Sequence, residues 1–163
     1  MKLEFSRPAI DVLAGDVNND GKIDLVASAS WGGNLMASYI NNSSPGNLLF
    51  DIVYTTTETS QGGWNFPYGG VLLNINDDDL LDYIGSDGIA RNGYSTTPVR
   101  AFINQGGGTF IEDNSVFGIA DDNTDGLYDL DLPSLQHGRA WLVLDFDQDG
   151  RDDLFVADHG SDY

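Results

Sequence analysis

The 163-residue sequence predicts an all-β chain built from repeated antiparallel four-stranded units. Three observations predict it: an acidic ten-residue motif recurs, short strand-like segments flank each copy, and no 11-residue stretch combines helical periodicity with capping residues. Residues 16–25 (DVNNDGKIDL) and 145–154 (DFDQDGRDDL) both read D-x-[DN]-x-D-G-x-x-D-L. Residues 74–83 (NINDDDLLDY) keep the spacing, with Asn74 for the first Asp and Asp79 for the Gly. The three copies start 58 and then 71 residues apart, which leaves room for four strands and variable loops in each unit.

Loop one is preceded by a strand over residues 10–14 and followed by one over 25–28, and strands over 35–40 and 48–53 complete the unit. Loop two lies between strands over 70–73 and 83–85, followed by strands over 99–103 and 109–112. Loop three lies between strands over 140–144 and 154–157. Each segment is short, rich in β-branched or aromatic residues, and bounded by Gly and Asp. Residues 104–108 (NQGGG) read as a hairpin turn whose glycines supply positive φ. A phosphate cradle would need a Lys nearby, and there is none. The units run approximately over 10–65, 66–136 and 137–163 within a single domain spanning 1–163.

Composition narrows the partners. A hydrophobic content of 40% with 11% aromatics is enough to fill a core. Seven basic residues against 26 acidic ones give a net charge of −19, which repels nucleic acid and anionic lipid and attracts cations. Of the acids, 23 are Asp and only Glu4, Glu58 and Glu112 are Glu, a choice that suits tight loops. The absence of Cys removes disulfides, thiolate metal sites and Cys redox chemistry. No apolar run has the length of a membrane helix, so membrane insertion is not expected. The first eight residues do not resemble a signal peptide, so any export signal is expected to lie outside the chain.

The loops carry the chemistry. Ca²⁺ takes six to eight oxygens, and side chains at loop positions 1, 3, 5 and 9 with a carbonyl at 7 converge on one point when position 6 turns sharply. Loop one offers Asp16, Asn18, Asp20 and Asp24 with the Lys22 carbonyl, and Gly21 permits the turn. Loop three offers Asp145, Asp147, Asp149 and Asp153 with the Arg151 carbonyl, and its four carboxylates make it the strongest site. Loop two offers Asn74, Asn76, Asp78 and Asp82 with the Leu80 carbonyl, and Asp79 must adopt the turn that Gly makes easily, so weaker binding is expected there. Residues 121–130 (DDNTDGLYDL) add a candidate fourth set, Asp121, Asn123, Asp125 and Asp129, only 24 residues before Asp145 and out of phase with the rest. Two to three Ca²⁺ sites are expected, and four if that set also binds. Mg²⁺ demands a tighter octahedron and Zn²⁺ prefers His or Cys, so oxygen-only loops favour Ca²⁺. One isolated Asp/Asn/Gly cluster would read as a turn former, but three phased copies point to metal. Position 12 holds Ala27, Gly85 or Val156 where an EF-hand needs Glu, and strands replace its helices.

These residues resemble the FG-GAP/VCBS repeats of integrin-α-like β-propellers and of many bacterial surface proteins, over roughly residues 10 to 158. The segment from Gly138 through Asp145 to Ala157, with Gly108-Thr109-Phe110 and Phe117-Gly118-Ile119 before it, is similar to the ASPIC/UnbV cartilage acidic protein subgroup. Tyr68-Gly69-Gly70 approximates the family's Phe-Gly lead into the loop strand. The resemblance implies a partial β-propeller of about two and a half antiparallel four-stranded blades, with calcium loops between the first two strands of each blade. Closed propellers use four to eight blades. The chain is therefore expected to be a fragment of a longer propeller or to assemble with other copies.

The resemblance also implies a calcium-binding module outside the cell, in the periplasm or at the cell surface. It would bind a protein or glycan, or the remaining blades of the same propeller, with Ca²⁺ in a structural role. Trp31, Trp64 and Tyr68 either stack on sugar rings or pack between blades. The alternative is the propeller part of a secreted polysaccharide-degrading enzyme. His137 and His159 are the only histidines and no G-x-S-x-G elbow occurs, so a catalytic triad lacks material and catalysis is not expected. Loop one also resembles a dockerin loop locally, but dockerins need helices after closely paired loops.

Overall fold

A computed structural model describes residues 9–29, 35–56, 67–87, 99–117 and 138–158. Strands β1 (Ala9–Gly15), β2 (Asp24–Ala29), β3 (Leu35–Asn41) and β4 (Phe50–Thr56) form one antiparallel sheet in sequence order. The second sheet is β5 (Pro67–Leu73), β6 (Asp82–Asp87), β7 (Val99–Asn104) and β8 (Phe110–Glu112), again in order. The third is the antiparallel pair β9 (Gly138–Leu144) and β10 (Asp153–Asp158). A single 3₁₀ turn, Asn114–Phe117, is the helical content among the described residues. The architecture is all-β and antiparallel, with sheets of four, four and two strands.

Alternation builds the layers, because successive strand residues point to opposite faces. Val26 and Met36 of the first sheet turn one way and meet Tyr83, Phe102 and Phe110 of the second, with Val17 from loop one completing the cluster. The rings of Tyr83 and Phe102 meet edge to face at 5.9 Å. On the other face of the second sheet, Val71, Leu73 and Ile84 pack against Trp141, Val143 and Leu154 of the third. The sheets therefore stack face to face, and their first strands are neighbours, β1 beside β5 and β5 beside β9. Ala27, Ala37 and Tyr39 form a smaller cluster on the far face of the first sheet.

Polar links cross the first interface as well. The Ser38 hydroxyl donates to the Gly108 carbonyl at 2.7 Å, the Phe110 N–H donates to Thr55 Oγ1 at 3.1 Å, and the Gly70 N–H donates to Asp11 Oδ2 at 3.2 Å. The glycine-rich 104–108 segment is a hairpin turn, with φ of 86°, 62° and 79° at Gly106, Gly107 and Gly108. The strand expected over 48–53 is displaced to Phe50–Thr56. Leu48 and Leu49 are apolar but exposed, because residues 42–49 close a turn through the Asn42 N–H to Leu49 carbonyl bond and the Ser44–Asn47 bridge.

Candidate metal centre

All three acidic loops join the first two strands of their sheet, and one hydrogen-bond frame recurs in each. The position-5 N–H donates to the side-chain oxygens of positions 1 and 3: Asp20 to Asp16 and Asn18 at 3.1 Å each, Asp78 to Asn74 and Asn76 at 3.2 and 3.3 Å, and Asp149 to Asp145 and Asp147 at 3.1 Å each. The position-7 N–H donates back to position 5 at 2.9 Å, in the pairs Lys22–Asp20, Leu80–Asp78 and Arg151–Asp149. Backbone N–H groups thus gather the side chains at positions 1, 3 and 5 on one side of the turn.

The turn is left-handed at positions 4 and 6. Asn19, Asp77 and Gln148 have φ of 58°, 59° and 63°. At position 6, Gly21 and Gly150 have φ of 83° and 89°, and Asp79 takes the same conformation at 65°. Only the two glycine loops add a bond from the position-6 N–H to the first Asp, Gly21 to Asp16 at 2.7 Å and Gly150 to Asp145 at 3.0 Å. Loop two keeps the fold of the motif at the steric cost of a Cβ in the left-handed region.

Position 9 is placed differently from positions 1, 3 and 5. Asp24 and Asp82 are fully buried. Asp24 accepts the Val17 N–H at 3.1 Å and the Asn41 N–H at 2.7 Å, one on each oxygen. Asp82 accepts the Ile75 N–H at 2.9 Å and the Asn104 N–H at 2.8 Å in the same way. Each carboxylate therefore clamps its loop to the end of the third strand. Burial raises the Asp82 carboxyl above the usual carboxylate range, and the nearby Asp78 charge adds to the rise, against the lowering by its backbone donors. In loop three, Asp153 accepts the Phe146 N–H at 2.9 Å.

The donor chemistry fits a hard cation in loop three. Carboxylate oxygens of Asp145, Asp147 and Asp149 lie within 4.8 Å of one another, the group that stands out among the described residues. Oxygens on opposite sides of one Ca²⁺ at 2.3–2.6 Å are about 5 Å apart, so a single ion can touch all three. Asp153 is not part of that group. In loop one the Lys22 ammonium lies 3.8 Å from Asp20 Oδ2, both groups partly exposed. The candidate set Asp121, Asn123, Asp125 and Asp129 lies outside the described residues, as do Trp31, Trp64, His137, His159 and the side chain of Tyr68.

Two sets of residues escaped the sequence reading. Position 2 is apolar in each loop: Val17 is buried between the first two sheets, Ile75 packs beside Val71 and Leu73, and the exposed Phe146 meets the ring of Phe155 at a tilt, with centroids 5.3 Å apart. The third-strand asparagines, Asn41 and Asn104, hold the clamping Asp through their N–H and the preceding carbonyl through their amide, Ile23 at 2.9 Å and Leu81 at 2.9 Å. The repeated Tyr39-Ile40-Asn41 and Phe102-Ile103-Asn104 triplets were the available signal. A search of family models, curated proteins and solved structures found no match to the chain.

Proposed function

We propose that the chain is a non-catalytic calcium-binding repeat module of the FG-GAP/VCBS type, in which Ca²⁺ staples the first hairpin of each propeller blade. The observation that carries the reading is the convergence of Asp145, Asp147 and Asp149 on one point in a loop whose frame is repeated twice more. Three anions held together by backbone donors repel one another, and a divalent ion between them removes that repulsion. The face-to-face stacking, with first strands side by side, supports reading each sheet as a blade. Asp24, Asp82 and Asp153 brace the loops from position 9 through the backbone N–H groups that they accept, and their charge adds to the attraction for a cation.

Millimolar calcium outside cells fills even weak sites of this kind, so an extracellular or cell-surface setting suits the module. A protein or glycan partner would then be met by loops that the stapled hairpins hold in place. No helix among the described residues is long and apolar enough to cross a membrane.

The test is calcium titration calorimetry on the EDTA-stripped chain, with Asp145→Ala and Asp149→Ala as controls. Two or more sites are expected, with the tightest lost in either variant. An absence of calcium heat in the wild type would reduce the loops to turns and sink the proposal.

A further inference from the structure

We infer that Asn104 couples the first two acidic loops, so that a cation held in loop one raises the affinity of loop two; the inference rests on the calcium reading above. Asn104 ends β7 and is 2% exposed. Its side-chain amide donates one proton across the sheet interface to the Val17 carbonyl of loop one at 2.8 Å, and the other to the Leu81 carbonyl of loop two at 2.9 Å. Its Oδ1 accepts the Gly106 N–H at 2.9 Å, and its own N–H donates to Asp82 Oδ1 at 2.8 Å. Both amide protons are thus committed, each to a different loop.

The path continues to the ligands at both ends. Asp82 Oδ2 accepts the Ile75 N–H at 2.9 Å. Val17 and Ile75 are the position-2 residues of their loops. Val17 lies between Asp16 and Asn18, and Ile75 between Asn74 and Asn76, the first two side-chain donors of each set. Val17, Asn104 and Asp82 are all within 2% of full burial, so water does not replace a bond that one loop breaks by moving. Gly15, just before the first ligand, adds steric contact: a Cβ there would lie 2.7 Å from Leu81 Cδ1.

Asn41 isolates the added link. It occupies the same place in the first sheet and repeats the bonds within the sheet, to Asp24, Ile23 and Ser43, at 2.7, 2.9 and 3.0 Å. Of the bonds that Asn104 makes, the one to Val17 crosses between sheets. A cation fixing Asp16 and Asn18 fixes the peptide carbonyl between them, which orients the Asn104 amide and with it the clamp on loop two. Linkage makes the effect reciprocal. Loop two, with only two carboxylates, has the most to gain. The bonds of Asn104 go to Asp82, Val17, Leu81 and Gly106 and none reaches loop three, which therefore serves as the internal control.

The experiment is a calcium titration of the ¹⁵N-labelled full chain, followed at the amides of Gly21, Asp79 and Gly150, the sixth position of each loop. In the wild-type background, Asp20→Ala is expected to weaken binding read at Asp79 by a factor of about 5 or more, the lower end of usual coupling, and to leave Gly150 unchanged. With Asn104→Ala already present, Asp20→Ala is expected to have no further effect at Asp79. An Asp79 titration that ignores Asp20→Ala overturns the coupling, and that arm stands even where Asn104→Ala fails to fold. Equal weakening at Asp79 and Gly150 also overturns it, in favour of a general charge effect. If none of the three amides of the wild type responds to calcium, the calcium reading itself has failed, an outcome distinct from independent titration of the loops.

Discussion

Asp24 and Asp82 hold the same place in their loops, where each carboxylate is buried and accepts two backbone N–H groups. Under the proposed calcium binding a charge there would also help to draw the cation, a demand that burial opposes. Burial lifts the Asp82 carboxyl above its unfolded value, which lies near 3.9. A raised native value means the folded chain holds that proton more tightly than the unfolded chain does. The resulting stability is fully present below about pH 3.9 and is lost as pH rises through the raised native value. The metal-free stability of wild type relative to Asp82→Asn is therefore expected to fall as pH climbs through that window, read by urea unfolding at several pH values. A relative stability that rises over the same window would contradict the burial argument. Spacing alone proposed Asp82 as a ligand, but its burial was not legible, because the 1, 3, 5, 9 spacing of the loop is the same whether position 9 faces water or the third strand.

At the scale of elements, the loops and their flanking strands were legible because two signals meet there. Short β-branched or aromatic runs bounded by Gly and Asp give the strands, and Asp, Asn and Gly at fixed offsets give the turn between them. The start of β4 was not, since Leu48 and Leu49 carry the composition of a strand and the hydrogen bonds of a turn. The 104–108 turn was read correctly as a turn, but its reach was hidden. Gly108 sits against the first sheet so closely that a Cβ would lie 2.6 Å from Ile40 Cδ1 and 2.9 Å from Ser38 Cβ, whereas a Cβ at Gly107 would meet nothing. Both have positive φ, so both substitutions carry the left-handed penalty of about 1 kcal/mol. Gly108→Ala adds overpacking at the interface and is expected to cost about 2–4 kcal/mol in all. Denaturant melts of the two variants separate the terms. Equal losses would show that the turn does not brace the first sheet.

For the whole molecule the governing quantity is the charge of −19 on 163 residues. Such a chain works against its own compaction, and two kinds of cation relieve it differently. Monovalent salt screens the field gradually, over a Debye length of about 10 Å at 0.1 M. A bound divalent ion acts at its own loop, saturates, and stabilises only the folded state. One site at a hundredfold excess over its Kd contributes about 2.7 kcal/mol. For a chain of this size each kcal/mol moves the melting temperature by about 2–4 °C, so one filled loop is expected to raise it by about 5–10 °C. Thermal melts of the EDTA-stripped chain in calcium, and in sodium chloride of matched ionic strength, distinguish the two. A saturating rise with calcium that Asp149→Ala reduces places the stabilisation in loop three. Equal rises in both salts would assign it to screening, and the acidic loops would then act on the fold only through their charge.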